Sequence, residues 1–384
     1  MHYQPRQWPR TIVAAVLLAF GAAVAVPAVA TAHPSRGGFV YVNDNTAGTN
    51  TVAAFVRHPD GGLTPVPGSP FNAGGAGSGS GLASQGAIQI SSDGRYVLAV
   101  DAGSNQISVL RIGRDGALEL MPGGVVPSGG AQPVSIAEHD GLVYVANAGA
   151  ADSNYTGFTL TDGGRLRPLP GSTVPLPASA QPGDVLFNSV GTSLIGARVG
   201  TSQIDSFRVA HDGGLIPATG SPFAAQGVGP FGSEFRPTNP DQLFVSNAHN
   251  AAGDGTISAF RVARDGTLSS IGKSPFADQQ TAPCWVEISH DGRFLFTVNT
   301  GSGSISRYTI AADGALTLLG STPVSSQAGV GAVDARLSTN GRTLYVDESR
   351  VGSLGVFAVD GGQLTEQGTV ALPAGAAPAG VAVS

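Results

Sequence analysis

The chain has 384 residues, with 20 basic and 26 acidic side chains, 56 glycines, 26 prolines and one cysteine. One cysteine excludes an intramolecular disulfide, and the lack of a basic patch makes nucleic acid and anionic membranes poor partners. With 41% apolar residues, the high glycine and proline content indicates many tight turns between short strands rather than disorder.

The first 32 residues have the pattern of a secretory signal peptide. Arg6 and Arg10 form a positive start, residues 11–26 are mostly apolar, and Ala30-Thr-Ala32 fits a cleavage site. We therefore expect cleavage after Ala32, a short disordered lead over residues 33–38, and a secreted or periplasmic protein that does not bind membranes after cleavage. The alternative is an uncleaved N-terminal anchor, for which the apolar run is short.

From residue 39 onward the chain repeats one pattern seven times. Each copy contains an Asp-Gly hairpin signal that is soon followed by a leucine. The dipeptides begin at Asp60, Asp115, Asp162, Asp212, Asp265, Asp313 and Asp360. A repeat of about 50 residues with four short apolar segments is typical of β-propeller blades.

The copy at residues 284–318 shows the four strands of one blade. Trp285–Ile288 and Phe294–Val298 are apolar runs, and Ile305–Ile310 alternates between apolar and polar residues. Asp313-Gly314 then turns the chain into a fourth strand. Such a sheet is apolar on both faces, so it needs a neighbouring sheet on each side.

Six blades are complete, and the first lacks its innermost strand. The predicted inner strands are Ala87–Ile90, Val134–Ala137, Asp184–Phe187, Ser233–Phe235, Trp285–Ile288 and Val333–Leu337. The chain begins its first blade at Phe39–Asn43, so we expect Ala379–Ser384 to supply the missing strand and remove the open sheet edges. The sequence thus predicts one all-β domain over residues 39–384, a seven-bladed β-propeller of four-stranded antiparallel blades.

Two local features concern the central channel of the predicted propeller: a Gly/Ser-rich stretch and the single cysteine. The Gly/Ser-rich stretch Asn72–Ser84 is either a flexible crossover or a lid over one mouth. Cys284 lies at the start of an inner strand, and the sequence shows no histidine or positive charge near it. We therefore expect a small buried residue rather than a catalytic thiol.

The repeats resemble those of a known family. Leu142-Val-Tyr-Val-Ala-Asn147 and Arg293-Phe-Leu-Phe-Thr-Val-Asn299 are similar to the repeats of Tyr-Val-Thr-Asn propellers. Gly-Ser-Pro-Phe at residues 68–71 and 220–223, with Lys-Ser-Pro-Phe at 273–276, narrows the resemblance to the seven-bladed lactonase family. That family includes bacterial 6-phosphogluconolactonase and fungal carboxy-cis,cis-muconate cyclase. The resemblance implies hydrolysis or isomerisation of a small cyclic ester at the mouth of the central channel, with a lactone or a sugar acid as the ligand.

The chain departs from the family at segments that enzymatic members typically carry. A histidine segment and an Asp-Leu-Gly-x-Asp loop are replaced by Ala83-Ser-Gln85 and Asp101-Ala-Gly-Ser-Asn105, and Ala282-Pro-Cys-Trp285 replaces Pro-Arg-His. These differences favour the alternative function, a non-catalytic secreted propeller that binds a carbohydrate, a cell-wall component or a protein. Secretion also disfavours 6-phosphogluconate, because phosphorylated sugars of central metabolism are cytosolic.

Two sets of polar residues are candidates for a ligand site at a channel mouth. The first set ends the second strand of each blade, where Asn and Asp can also simply cap a turn: Asn43, Asp101, Asn147, Arg198, Asn247, Asn299 and Asp347. The second set lies on inner strands: Gln89, Asp184, Glu234, Glu287, Asp334 and Arg336. Charges on buried strands are costly unless they are paired or hydrated, so a structural ion-pair network is the alternative.

We predict four catalytic residues from these sets. Glu234 or Glu287 would activate water, and Arg198 or Arg336 would stabilise the oxyanion of the opening lactone. Arg198 is singled out because the other six blades carry Asn or Asp at its position. The predicted ligand-binding residues are Asp101, Asn147, Asp184, Asn247, Asn299, Asp334 and Asp347. We expect a monomer with no cofactor and no metal.

Convergence of these charges at one mouth would favour an enzyme. Pairing within a dry wall would favour a binding module. The two outcomes differ in whether a ligand could reach the charged groups.

The signal peptide yields the first testable prediction. N-terminal sequencing of exported protein should begin at or near His33, because the small residues before it fit a cleavage site. A membrane-bound product that keeps Met1 would contradict the prediction.

Overall fold

Strands dominate the computed structural model, which describes residues 1–2, 37–324 and 331–384. Nearly all of the predicted signal peptide, and residues 33–36 of the predicted lead, lie outside these ranges. The described chain contains thirty-two strands and one 3-10 helix, Val199–Thr201. None of the described residues belongs to a helix long and apolar enough to span a membrane.

The strands form the seven predicted blades, each an antiparallel sheet. Blade 1 joins both ends of the chain and contains β1 (Phe39–Asn43), β2 (Thr51–Arg57), β3 (Leu63–Pro65), β4 (Phe71–Asn72) and β32 (Val381–Val383). Blade 2 contains β5 (Ile88–Ile90), β6 (Tyr96–Asp101), β7 (Gln106–Ile112) and β8 (Leu118–Pro127). Blade 3 contains β9 (Pro133–His139), β10 (Leu142–Asn147), β11 (Asn154–Leu160), β12 (Leu166–Pro168) and β13 (Val174–Pro175).

The remaining blades repeat this arrangement. Blade 4 contains β14 (Pro182–Phe187), β15 (Ser193–Arg198), β16 (Gln203–Val209), β17 (Leu215–Pro217) and β18 (Phe223–Ala224). Blade 5 contains β19 (Pro230–Arg236), β20 (Asn239–Asn247), β21 (Thr256–Val262), β22 (Leu268–Ser270) and β23 (Phe276–Ala277). Blade 6 contains β24 (Pro283–Ile288), β25 (Phe294–Asn299), β26 (Ser304–Ile310) and β27 (Leu316–Pro323). Blade 7 contains β28 (Ala332–Leu337), β29 (Thr343–Glu348), β30 (Ser353–Asp360) and β31 (Gln363–Ala371).

The Ser-Pro-Phe motif marks the point where an outer strand is broken into two pieces. In blade 1, β3 and β4 both pair with β2, and the Ser69-Pro70 bond between them is cis. Ser69 Oγ accepts a hydrogen bond from Ala54 N at 2.8 Å, which satisfies a strand donor at the break. Ser221 and Ser274 accept the equivalent bonds in blades 4 and 5. The recurring motif therefore has a structural role.

Pairing of the two chain ends closes the ring, as the sequence predicted. Val40, Tyr41 and Val42 of β1 pair with Val383, Ala382 and Val381 of β32. Ser384 continues this ladder, because its amide donates to Phe39 O at 2.9 Å. β32 thus completes blade 1 as its innermost strand and covers the inner edge of β1.

The Gly/Ser-rich stretch ends inside the central channel, where residues 82–86 form what we call the channel plug. The Gln85 amide bridges two inner strands: Nε2 donates to Ser233 O at 2.9 Å, and Oε1 accepts from Val286 N at 3.0 Å. Trp285 Nε1 donates to Ser84 O at 2.8 Å. Two further bonds reach blades 3 and 4, from Ser84 Oγ to Val134 O and from Gln85 N to Gly183 O. These bonds fix the plug against four inner strands.

Ring closure generates the second prediction. Deletion of residues 379–384, or Val381→Asp, should destabilise the protein, because Val381 is completely buried in the closing strand. We expect Val381→Asp to cost about 3–5 kcal/mol, since it leaves an uncompensated buried charge. Urea denaturation measures the effect.

Gln367→Asp provides the matched control, because Gln367 is exposed on β31. Unchanged stability and solubility of the truncated protein would show that this strand does not close the ring.

Candidate functional site

The channel plug leaves a cavity at each end of the channel. The upper cavity, of about 620 Å³, lies where loops lead into the inner strands, and residues 79–84, Trp285 and Asp334 contribute to its wall. The lower cavity, of about 190 Å³, is lined by Gln85, Gln89, Asp184, Glu234 and Arg336, among others. Among the described residues, none lines both cavities, so the inner-strand charges face two separate spaces.

Asp334 is the inner-strand acid that lines the upper cavity. It is the third residue of β28, and only 1% of it is exposed. Its carboxylate accepts hydrogen bonds from Ala335 N at 2.9 Å and from Gly86 N of the plug at 3.4 Å. Burial raises the pKa of Asp334 to about 6, although the positive charge of Arg336 opposes this shift. The side chain can therefore exchange a proton near neutral pH.

Other polar groups of the upper cavity come from loops. His249 and Arg350 are exposed at its rim, and no ion pair within the described residues involves Arg350. Cys284 also lines this space, but it is buried, and burial raises the pKa of its thiol to about 11. The thiol stays protonated, so Cys284 is the small buried residue that the sequence predicted.

Arg336, Glu234 and Glu287 converge at the opposite end of the channel. Arg336 Nη1 lies 3.2 Å from Glu287 Oε2 and 3.9 Å from Glu234 Oε2. Glu287 is buried, and its second oxygen accepts a hydrogen bond from Leu337 N at 3.0 Å. The side chains of Arg336 and Glu234 are 25% and 19% exposed. Three of the four predicted catalytic residues therefore meet, but two of them, Glu234 and Arg336, line the lower cavity rather than the mouth that contains Asp334.

The channel contains more carboxyl groups than positive charges. Arg336 faces Asp184, Glu234, Glu287 and Asp334, and these acids raise its pKa further. Burial raises the pKa values of Glu234 and Glu287, with Arg336 opposing the shift, and raises the pKa of Asp184 to about 7. One arginine cannot neutralise four carboxylates, so part of this set is protonated near neutral pH.

Arg198 does not join either cavity, which corrects its predicted catalytic role. The buried guanidinium donates twice to Asp205: Nε to Oδ2 at 2.6 Å, and Nη2 to Oδ1 at 2.5 Å. Tyr155 also donates to Asp205, at 3.0 Å. This bidentate pair occupies the planar fork that a ligand would need.

The other members of the first set have structural partners as well. Asp101, Asn147, Asn247, Asn299 and Asp347 are completely buried and line neither cavity, so the structure does not support their predicted ligand-binding role. In four blades, a side-chain hydrogen bond links the residue that ends the second strand to the residue seven positions later. These pairs are Asn43 with Asn50, Asp101 with Ser108, Asn147 with Asn154, and Asn299 with Ser306. Asn247 bonds Thr256 and Ser258, and Asp347 accepts from Gly380 N.

Arg198 and Asp205 have the same spacing of seven residues. The charge at position 198 is therefore matched by an opposite charge at the partner position of the same hairpin. This spacing was the sequence signal that could have identified Arg198 as structural. No comparable signal marks Arg350 or His249, because both lie in loops without a repeated partner.

No group of three or more His, Cys, Asp or Glu side chains in residues 37–324 and 331–384 has the arrangement of a metal site.

Comparison with known proteins identifies a family. The family model described as "Lactonase, 7-bladed beta-propeller" matches residues 31–180 and 195–379. None of the curated proteins matches the sequence.

Several solved structures share the fold. A candidate 6-phosphogluconolactonase from Bacteroides uniformis superposes with a TM-score of 0.71 at 18% identity, covering 90% of this chain and 98% of that one. A second one, from Bacteroides fragilis, gives 0.68 at 20% identity, with 91% and 98% coverage. The periplasmic gluconolactonase of Pseudomonas aeruginosa gives 0.67 at 18% identity, with 90% and 98% coverage. At these identities the likeness shows the fold.

The Arg198–Asp205 pair yields the third prediction. Arg198→Ala should cost about 3–5 kcal/mol, because it leaves the Asp205 carboxylate buried without its counter-charge. The double variant Arg198→Asn/Asp205→Asn copies the Asn147–Asn154 pair of blade 3 and should recover most of that loss. Urea denaturation of both variants measures the difference.

A catalytic role for Arg198 gives the opposite pattern. Stability would then be unchanged in Arg198→Ala, and the double variant would recover nothing.

Proposed function

The chain belongs to the lactonase family of seven-bladed β-propellers, and we propose that it is a hydrolase that opens a small cyclic ester in the upper cavity. One observation carries the proposal. A carboxyl group, Asp334, is buried at the wall of a 620 Å³ cavity, and its pKa is raised to about 6. A general base works best when its pKa lies near the operating pH.

Asp334 would act first as a base and then as an acid. Its ionised carboxylate takes a proton from water, and the water oxygen attacks the lactone carbonyl carbon. The resulting tetrahedral oxyanion collapses by breaking the ring C–O bond. The leaving oxygen takes the proton back from Asp334, which gives a hydroxy acid and restores the carboxylate.

Of the described residues that line the upper cavity, Arg350 is the one with a permanent positive charge, and it would stabilise the oxyanion. A lactone is already electrophilic, so one base and one positive group are a sufficient minimum. Arg350 replaces Arg198 in this role, because Arg198 is held by Asp205.

Glu234 and Arg336 remain a second candidate pair, in the lower cavity. Glu234 is partly exposed, and its raised pKa also suits a base. However, Arg336 already shares its charge with Glu287, and 190 Å³ lies below the range of roughly 300–1,000 Å³ typical of small-molecule sites. We therefore assign the reaction to the upper cavity and use Glu234 as a test of that choice.

We propose an unphosphorylated sugar lactone as the substrate, and a secreted or periplasmic location. The Pseudomonas relative is described as a periplasmic gluconolactonase. Asp334, the inner-strand carboxyl group of the upper cavity, disfavours a phosphorylated ligand there. The signal-peptide pattern of residues 1–32 supports export.

A non-catalytic propeller that binds a carbohydrate is the second candidate function. The observation that favours it is Cys284, which lines the upper cavity where the family pattern led us to expect Pro-Arg-His. The two functions predict ligands at the same mouth and differ only in turnover.

The fourth prediction tests Asp334. Wild-type kcat/KM for glucono-δ-lactone should rise through about pH 6, because only the ionised carboxylate can accept a proton from water. Asp334→Asn should lower kcat about 10²- to 10⁴-fold, the usual contribution of a general base. The measurement is the pH–rate profile of both proteins.

Glu234→Gln is the matched control, because it neutralises an inner-strand acid of the other cavity. It should keep nearly wild-type turnover. Loss of activity in Glu234→Gln with retention in Asp334→Asn would move the site to the lower cavity. A wild type that binds gluconate but opens no lactone would establish the binding module.

A further inference from the structure

The upper cavity has a neighbouring space that a single-ring lactone would leave empty. We call this space, of about 290 Å³, the side lobe. It shares Leu82, Ala83, Phe231 and His249 with the upper cavity, so the two spaces adjoin. Beyond the shared wall, the side lobe is lined by residues of blades 3 and 4 and contains none of the inner-strand acids.

Two glutamines form the polar part of the side lobe. Gln132 and Gln181 directly precede the prolines that begin β9 and β14. Both are exposed, and no hydrogen bond within the described residues involves either side-chain amide. Their amides are therefore available to a ligand.

The backbone at these glutamines is fixed in an uncommon conformation. Gln132 and Gln181 have φ of 53° and 46°, in the left-handed region that residues other than glycine rarely adopt. Their carbonyls accept hydrogen bonds from Ala148 N at 2.9 Å and Val199 N at 3.2 Å. At the equivalent position, blades 5 and 7 have glycine, which adopts this conformation without steric cost. The glutamines thus occupy positions that backbone geometry alone would give to glycine.

The surroundings favour a polar occupant over an apolar one. Leu82, Val199 and Phe231 are only 7%, 8% and 4% exposed. Because their surfaces are already covered, an alkyl or acyl chain would remove little further apolar area from water. The exposed residues of the lobe are Ala83, Gln132, Gln181 and His249, and three of these four carry hydrogen-bonding side chains.

We propose that the side lobe is a subsite for a second sugar unit, so that the substrate is the lactone of a disaccharide acid. The lactone ring lies in the upper cavity beside Asp334, and the glycosyl unit lies in the side lobe, where its hydroxyl groups bond Gln132 and Gln181. The placement of the lactone ring beside Asp334 rests on the proposed function. The subsite itself is a binding property and is tested separately.

Kinetics with two lactones test the substrate class. Wild type should hydrolyse lactobiono-δ-lactone with a kcat/KM about tenfold above that for glucono-δ-lactone, because two further hydrogen bonds form. Gln132→Ala/Gln181→Ala should abolish this preference and leave the rate on glucono-δ-lactone within about twofold. Alanine suits the left-handed backbone, because Ala282 adopts φ of 54° before Pro283. Gln367→Ala, on the outer strand β31, is the control and should keep the preference.

Binding separates failure of the subsite from failure of the proposed function. Titration calorimetry with lactobionate and gluconate needs no turnover. If no lactone is opened but lactobionate binds about tenfold more tightly than gluconate, and the double variant loses that difference, the subsite stands and the hydrolase does not.

Two results would overturn the subsite. One is equal affinity of the wild type for lactobionate and gluconate. The other is that the wild type opens an N-acyl homoserine lactone faster than lactobiono-δ-lactone, and that the double variant opens the N-acyl homoserine lactone at the same rate as the wild type. That result would assign the side lobe to an acyl chain.

Discussion

Every blade of this protein must bury both of its faces, and the closed ring is the arrangement that satisfies all seven at once. The contacts between blades include a recurring hydrogen bond. In blades 1, 2, 3 and 7, a second-strand tyrosine hydroxyl donates to a carbonyl of the Asp-Gly turn in the next blade, as from Tyr144 to Gly213 O at 2.9 Å. The bond from Tyr345 to Gly61 O crosses the closing seam between blades 7 and 1. Ring closure therefore depends on side-chain contacts as well as on the strand pairing of β32 with β1.

The ring also creates the channel in which the candidate chemistry lies. Seven inner strands meet around an axis, and the plug, with Gln85 bonded to β19 and β24, fills the middle. A cavity remains at each end, and Asp334 lines one of them while Arg336 lines the other. The two residues are only two positions apart on β28, and yet they line different cavities. Burial in this narrow channel is what raises the pKa values of its acids.

Some residues differ in type from those at the same position of the other blades, and the role of each depends on which side chains it contacts. Arg198 looks exceptional by itself, but Asp205 compensates for it within the same hairpin. Gln132 and Gln181 also depart from the glycine found at equivalent positions of other blades, and no side chain within the described residues compensates for them. A residue that differs from the repeat and is bonded by a matching side chain has a structural role. One that has no such side-chain partner and lines a cavity is a candidate for binding a ligand. This distinction separates the structural set from the residues to which we assign function.

The sequence by itself determined the seven blades, the antiparallel order of their strands and the closing role of the C-terminal strand. These features depend on local periodicity and on turn residues. Because both repeat along the chain, they can be recognised in the amino-acid sequence. The sequence also identified Asp334, Glu234, Glu287 and Arg336 as unusual charges on buried strands. Only the tertiary structure decided that Arg198 is bound by Asp205, that residues 82–86 divide the channel, and that Asp334 and Arg336 face different cavities. Those outcomes depend on contacts between blades and on the path of an irregular loop, which no periodic pattern in the chain encodes.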